Sequence, residues 1–309
     1  MTNGNGKGAA VAVVAPAKLN LALLVGPVRP DGFHEVASLM VPVTLADRVT
    51  VERTAGQGLS VICDVAPGED NLAAHMVREL EARLERAFEV RVTIAKNVPA
   101  GGGLGGGSSD AAATLAGLEW LFDLDVAPRV RFEAAAAVGS DVPFFLWPGP
   151  QLAMGRGQVL KPVELPALHL VVAVPDLSLA TSEVYGWHDE DAAADLAAFV
   201  PRARRLSQDI LSARTIVAVA ALVRNDLEEC VVARRPQVGA LCDRLRSEGA
   251  LAAAMTGSGA AVFGLFPDAD SAAQAHAALA PLRAWHVTDL QPLVADGSAG
   301  ASALGRETQ

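Results

Sequence analysis

The chain has 309 residues, enough for one large or two ordinary domains, and 51% of it is hydrophobic, so it can bury a sizeable core. Its 25 basic and 35 acidic residues leave a net charge of −10, which argues against nonspecific binding to nucleic acid or to an anionic membrane, since both need a basic field. Three separated cysteines, Cys63, Cys230 and Cys242, form no paired motif, no signal-length apolar run opens the chain, and no stretch approaches the roughly 20 apolar residues of a membrane span; the expectation is a cytoplasmic protein with reduced thiols.

Residues 1–9 and 296–309 are small and polar and are expected to be disordered tails. AAVAVVAPAKLNLALLV reads as two β segments broken at Pro16. RVTVER (48–53) and LSVICDV (59–65) alternate in polarity like half-buried strands. Over 71–88, Leu72, Met76, Leu80, Leu84 and Phe88 recur every four residues, which predicts an amphipathic helix with Asn71 as its N-cap. VRVTIA (90–95) is a strand. A glycine run follows, then a helix in SSDAAATLAGLEWLF with Ala111, Leu115, Leu118 and Phe122 on one face, and another over 132–139 stopped by Gly139. Beyond a strand at 168–175 come helices near 203–222 and 236–248, and strands 250–255 and 260–266 around the turn TGSG. A helix at 270–280 and a strand near 284–289 close the pattern. The Gly- and Pro-rich segment PGPQLAMGRGQVLKP puts a boundary near 160, giving domains over 10–160 and 161–292. Neither half has the regular βαβ rhythm of a parallel sheet, so the fold class is α+β.

GGGLGGGSSD (101–110) carries the clearest chemistry. Glycine lets the backbone adopt positive φ and approach a ligand closely. The first N–H groups of a helix lack intrahelical partners and sit at the positive end of its dipole. A strand, a glycine run and a helix start together make an anion site, most naturally for phosphate. Ser108 and Ser109 could bond phosphate oxygens or a Mg²⁺-bound water, or one could be a plain N-cap. The Walker pattern fails, because no lysine follows the last glycine. Gly101, Gly103 and Gly106 formally fit the dinucleotide fingerprint, but the acidic residue directly follows the helix instead of ending the next strand.

Four other stretches ask for a role. PAKLN sets Lys18 and Asn20 in an apolar strand, where a lysine must be paired, used, or snorkelling from an edge. RPDGFHE is a turn carrying Phe33 and His34. In GSDVPFF, Asp141 is either a general base at a cavity wall or a helix cap. TGSGAA is a second glycine turn. His75, His169, His188 and His286 show no metal-ligand spacing.

APAKLNLALLV, VPAGGGLGGGSSDAAATL and MTGSGAAVFGLF, in this order, resemble the three motifs of the galactokinase, homoserine kinase, mevalonate kinase and phosphomevalonate kinase (GHMP) superfamily. RPDGFHE, GSDVPFFL, GRG (155–157), TSEVY (181–185) and NDLE (225–228) are similar to the branch that phosphorylates the 2-hydroxyl of a cytidine-diphosphate-linked methylerythritol. The resemblance covers roughly residues 11–290. It implies an N-terminal domain like ribosomal protein S5, a C-terminal ferredoxin-like domain and an active site in the cleft between them. It implies ATP as phosphoryl donor, Mg²⁺, and a small-molecule acceptor, with no nucleic acid, membrane or obligate protein partner. By the same resemblance Asp141 is the base and Lys18 its cationic partner. Pro99, Ala100, Gly101, Gly102, Gly103, Leu104, Gly105, Gly106, Gly107, Ser108 and Ser109 wrap the ATP phosphates. Asn20 lies near the phosphates, Phe33 and His34 take the cytosine, Lys96 lies near the nucleotides and Thr181 near the substrate. Gly257 and Gly259 close the site.

Two departures accompany this. The family commonly has Tyr at the position of Phe33, so a hydroxyl is lost. Asp110 often reads Asn; a carboxylate there suits the helix dipole but repels phosphate, so it is expected to point away or towards Mg²⁺. No second carboxylate ligand for Mg²⁺ is evident, which leaves ATP and a hydroxyl of Ser108 or Ser109 to hold it, through water. The competing readings are a sister kinase for mevalonate, homoserine or a sugar, and a nucleotide-binding protein without catalysis.

Overall fold

The computed structural model describes residues 9–66, 68–191, 195–289 and 306–307. The expected tails fall outside these residues except for Ala9 and for Arg306–Glu307, whose backbone pairs with Ala12 and Val13. In chain order the elements are β1 Ala10–Val28, β2 His34–Arg53, β3 Leu59–Cys63, α1 Leu72–Leu84, β4 Val90–Ala95, α2 Gly106–Phe122, α3 Pro128–Val138 and a 3₁₀ turn Val142–Leu146. β5 Gln151–Gly155, β6 Val159–Pro162, β7 His169–Ala173, α4 Thr181–Asp191, α5 Leu196–Ser212, α6 Ile216–Ala220, β8 Arg224–Asn225 and α7 Glu228–Arg234 follow. α8 Pro236–Ser247, β9 Ala252–Met255, β10 Val262–Phe266, α9 Ala269–Ala278 and β11 Ala284–Thr288 complete the fold.

β1 is one continuous strand, not two segments broken at Pro16. Its antiparallel pairing with β2 absorbs the proline as a register shift between Pro16 and Ala17, and shifts again between Asn20 and Ala22. A bulge costs one ladder position instead of a whole strand, and it re-aims the side chains beside it. These two irregularities bracket Lys18 and Asn20. β2 pairs with β4 over Arg48–Arg53 and with β5 over Val36–Met40, and β3 adds parallel to β4. Within the Gly- and Pro-rich segment before and around residue 160, β5 and β6 form a hairpin fixed to this sheet.

The second sheet is antiparallel, in the order β11-β7-β10-β9. With helices between β7 and β9 and between β10 and β11, this is the βαββαβ connectivity of a ferredoxin-like unit. The chain crosses between the sheets once more: β8 pairs parallel with Ala22 and Leu23 of β1.

One core packs α1, α2 and α3 on the first sheet, through Val49, Val51, Leu80, Leu115 and Leu118 among others. A second joins β1 and β2 to β7, β10 and α5, through Leu19, Val41, Leu170, Phe263 and Leu206. A third lies under α4, α7, α8 and α9 on the far face of the second sheet. α2 is buried all round, not on one face as its sequence suggests, because it runs between the sheet and the other two helices. Its small residues allow close approach: a Cβ on Gly117 would lie 2.5 Å from Val51 Cγ2. Asn71 caps α1, accepting from Ala73 N at 2.9 Å. No helix among the described residues is long and apolar enough to cross a membrane.

Candidate functional site

The glycine segment lies where the two sheets meet. Gly101, Gly103 and Gly105 have φ near +71 to +73°, a region that side chains rarely enter. A Cβ on Gly103 would come within 2.5 Å of Thr256 O, and one on Gly105 within 2.9 Å of Lys18 Cγ. Bare backbone is therefore required on both sides of the loop. The first bond of α2 runs from Ser109 N to Gly105 O, and the helix has no side-chain cap. Its first residues line a cavity of about 340 Å³, together with Asn71, Lys96, Asp110 and the segment from Pro99 to Gly105. Ser109 is not on this wall. It is fully buried and its hydroxyl has no protein partner.

Lys18 and Asn20 sit two residues apart on β1 and so point to the same face. Lys18 Nζ donates to Asn20 Oδ1 at 2.5 Å and lies 3.4 Å from Asp141 Oδ2. Asn20 Nδ2 donates to Ser38 Oγ at 2.7 Å, and Ser38 Oγ donates to Ala22 O at 2.7 Å. This relay leaves Asn20 only its carbonyl to offer the ammonium, so the buried lysine is held from two directions. Asp141 precedes the 3₁₀ turn but makes no capping bond, which disposes of the cap alternative and leaves its carboxylate free to face the cleft.

Beneath the glycine loop, Lys96 Nζ bridges two carboxylates, Asp47 Oδ2 at 2.5 Å and Asp110 Oδ2 at 2.8 Å. Asp47 Oδ1 also accepts from the backbone of Asn97 and Val98, which pins the strand end that enters the loop. One lysine shared by two buried acids leaves Asp110 under-neutralised. Burial, then the Asp47 charge, push its carboxyl up to about 7 in spite of Lys96. Asp110 thus points at Lys96, and its Oδ1 has no protein partner. Lys96 itself is held above its ordinary range, since the two carboxylates outweigh its own burial.

At the far end of the cleft, Phe33 is 46% exposed with the Arg156 guanidinium 4.9 Å from its ring centre. His34 Nε2 meets Asp189 Oδ1 at 2.8 Å, and its ring lies 4.8 Å from Tyr185. Tyr185 was not singled out from the sequence, although it is the only tyrosine of the chain and sits in TSEVY. Burial, aided by the Asp141 charge, raises its phenol, so it stays protonated. Thr181 Oγ1 is 3.0 Å from Ser258 Oγ. The turn 256–259 abuts the glycine loop: a Cβ on Gly257 would lie 3.3 Å from Lys18 Nζ, and one on Gly103 would lie 3.1 Å from Gly259 N. Ser258 lies inside the TGSG motif without having been singled out, and Ser178, whose Oγ is 2.5 Å from where a Cβ on Gly101 would be, lies in no motif quoted above.

The chain matches the family models for the GHMP kinases N terminal domain over residues 71–149 and the GHMP kinases C terminal domain over 207–282. It is 44% identical to a 4-diphosphocytidyl-2-C-methyl-D-erythritol kinase of Anaeromyxobacter dehalogenans (strain 2CP-C), over 82% of this chain and 80% of that protein. It is 36% identical to the kinase of that name in Syntrophotalea carbinolica, over 91% and 98%. Among solved structures, a crystal structure of 4-(cytidine 5'-diphospho)-2C-methyl-D-erythritol kinase superposes with a TM-score of 0.74 at 35% identity, covering 90% of this chain and 99% of that one. Homoserine kinase from Cytophaga hutchinsonii, at 16% identity and a TM-score of 0.72, shares the fold. The chain therefore belongs to the GHMP kinases, and within them to the 4-diphosphocytidyl-2-C-methyl-D-erythritol kinase family.

Proposed function

We propose that the protein transfers the γ-phosphoryl group of ATP to the 2-hydroxyl of 4-diphosphocytidyl-2-C-methyl-D-erythritol, a step of the non-mevalonate route to isoprenoid precursors. The observation that carries this reading is the Lys18–Asn20–Asp141 cluster directly against the glycine loop. Phosphoryl transfer asks for positioning and charge neutralisation more than covalent chemistry. Asp141 accepts the proton of the attacking hydroxyl. Lys18, 3.4 Å from Asp141, aligns hydroxyl and carboxylate and offsets the charge on the transferring group. The backbone from Pro99 to Gly107 and the start of α2 hold the triphosphate, with Ser108 at its edge. Asn20 orients the lysine. Phe33, His34 and Tyr185 receive the cytosine: Phe33 offers a ring face and His34 a donor or acceptor to the base edge. Thr181, with Ser258 behind it, faces the alcohol end, and Gly257 and Gly259 close the cleft.

Among the described residues no group of three or more His, Cys, Asp or Glu could cage a metal. The residues fit a Mg²⁺ held mainly by the nucleotide, which the Ser108 hydroxyl, on the cavity wall, would help to hold. When bound it neutralises phosphate charge. A cytoplasmic site of action suits a reaction that consumes ATP, and all three cysteines are free thiols.

The test is an ATP-consumption assay with a panel of alcohols. Turnover with the cytidylyl alcohol, and none with mevalonate or homoserine, is expected. Preference for either of the latter overturns the substrate reading, and no ATP consumption with any alcohol overturns the kinase reading.

A further inference from the structure

The segment NDLE (225–228) carries no part of the chemistry above, yet apart from an ion pair between Asp226 and Arg202 its polar side chains bond to the strands and turn around it. Asn225 Nδ2 donates both protons to the glycine turn, to Met255 O and Gly257 O, each at 2.8 Å. Its Oδ1 accepts from Leu227 N at 2.9 Å, which fixes the amide orientation. Glu228 Oε2 accepts from Met255 N at 2.6 Å, so Met255 is gripped at both its backbone groups. Asp226 faces the other way: its Oδ2 accepts from Val25 N at 3.0 Å, and its own N–H donates to Leu23 O at 3.0 Å. The segment therefore ties the turn 256–259 of the second sheet to β1, the strand that carries Lys18 and Asn20.

We infer that Asn225 is a positioning residue for phosphoryl transfer, holding the Gly257 backbone against the Lys18 ammonium. This inference rests on the function proposed above. Gly257 is the contact through which it acts. With φ of +56°, its Cα side lies against Gly103 O, Lys18 Nζ and Asn20 Oδ1, at 3.0, 3.3 and 3.4 Å from where a Cβ would be. The turn is thereby one wall of the lysine's socket, and Gly105, against the lysine's methylenes, is another. Without Asn225 the turn still meets β1 through the bond from Asn20 N to Thr256 Oγ1 at 2.8 Å, but Gly257 O loses its side-chain donor, and the ammonium then drifts from the line between hydroxyl and γ-phosphate. Misplacement on that scale costs the chemical step far more than it costs binding, because the ligands make most of their contacts elsewhere.

Asn225→Asp separates this role from simple structure. It keeps the size of the side chain and the acceptor for Leu227 N but removes both donors to the turn. The expected result is a kcat at least tenfold lower, with the KM for ATP and for the cytidylyl alcohol within threefold of wild type. Lys18, shielded in the wild type, should be labelled several-fold faster by an amine-reactive reagent, with the exposed Lys161 as internal reference by peptide mass spectrometry. Asn225→Ser, which keeps one donor, should fall between the two, and it carries the test if the aspartate variant does not fold. Unchanged Lys18 labelling overturns the inference whatever the turnover. So does a kcat within twofold of wild type, or a loss spread equally over kcat, both KM values and thermal stability. If the wild type itself fails to turn over the cytidylyl alcohol, the functional proposal falls, and the Lys18 labelling still decides on Asn225.

Discussion

Asp141 and Lys18 divide the proposed chemistry by environment. The lysine is enclosed, whereas the carboxylate is 36% exposed and reaches the cleft without a capping duty. Asp141→Asn keeps the shape and removes the base. Turnover is expected to fall by roughly 10²- to 10⁴-fold while ATP affinity by calorimetry is unchanged. Retained turnover would remove Asp141 from the mechanism. Phe33→Ala is expected to raise the KM for the cytidylyl alcohol about tenfold with little effect on kcat, because stacking on a base contributes on the order of 1–3 kcal/mol. Asp110 bears on stability. Its carboxyl titrates near 7 in the folded chain against an ordinary value of 3.8, so the folded chain keeps a proton that the unfolded chain has released. Stability from this group therefore declines as pH rises from about 4 to about 7 and is flat above. Asp110→Asn should gain on the wild type by roughly 2–3 kcal/mol between pH 5 and pH 8 in urea unfolding. A gap independent of pH would contradict the shared-lysine account.

At the scale of elements, local pattern and tertiary context part company in instructive places. The spacing of Leu72, Met76, Leu80 and Leu84 and the cap at Asn71 identify α1, because one face meets solvent and periodicity survives; the helix ends at Leu84 with Glu85 left-handed, so Phe88, read as its last apolar turn, lies beyond it. α2 offers no such contrast, being covered on all sides. Pro16 looks like a strand breaker, but β2 accommodates it with a bulge, an outcome that depends on a partner more than twenty residues away. α4 and α7 are helices that the sequence reading does not assign. The close passage of α2 over β2 makes Gly117 a sensitive point. Gly117→Ala should cost about 1–3 kcal/mol by overpacking against Val51, seen as a lower urea midpoint with the KM for ATP unchanged.

The whole molecule is built around a cleft whose two walls share a core. The second core contains β1 and β2 on one side and β7 and β10 on the other, so neither wall is complete alone. A single cooperative unfolding transition is expected, coincident by far-UV circular dichroism and tryptophan fluorescence. A nucleotide held by the first wall should then stabilise both. At a free ATP concentration of 100 times its Kd the gain is about 2.7 kcal/mol, and both probes should shift together. Two separated transitions, with only one moved by ATP, would mean that the walls unfold independently.

The nature of the candidate site was legible in the sequence because it depends on residue types that act locally. A glycine run entering a helix start makes an anion cradle by backbone geometry alone, and a lysine and an aspartate in apolar settings must have partners or work to do. Which partners they have was not legible. That Lys18 faces Asp141, that Lys96 takes up Asp110, that Tyr185 lies beside His34, and that NDLE grips the second glycine turn are contacts between distant segments. They exist only once bulged strands, a buried helix and two packed sheets have set their distances. Propensity and periodicity report on neighbours within a turn or a pleat, whereas the strength of a charge pair or a hydrogen bond turns on ångströms that only the packed chain determines.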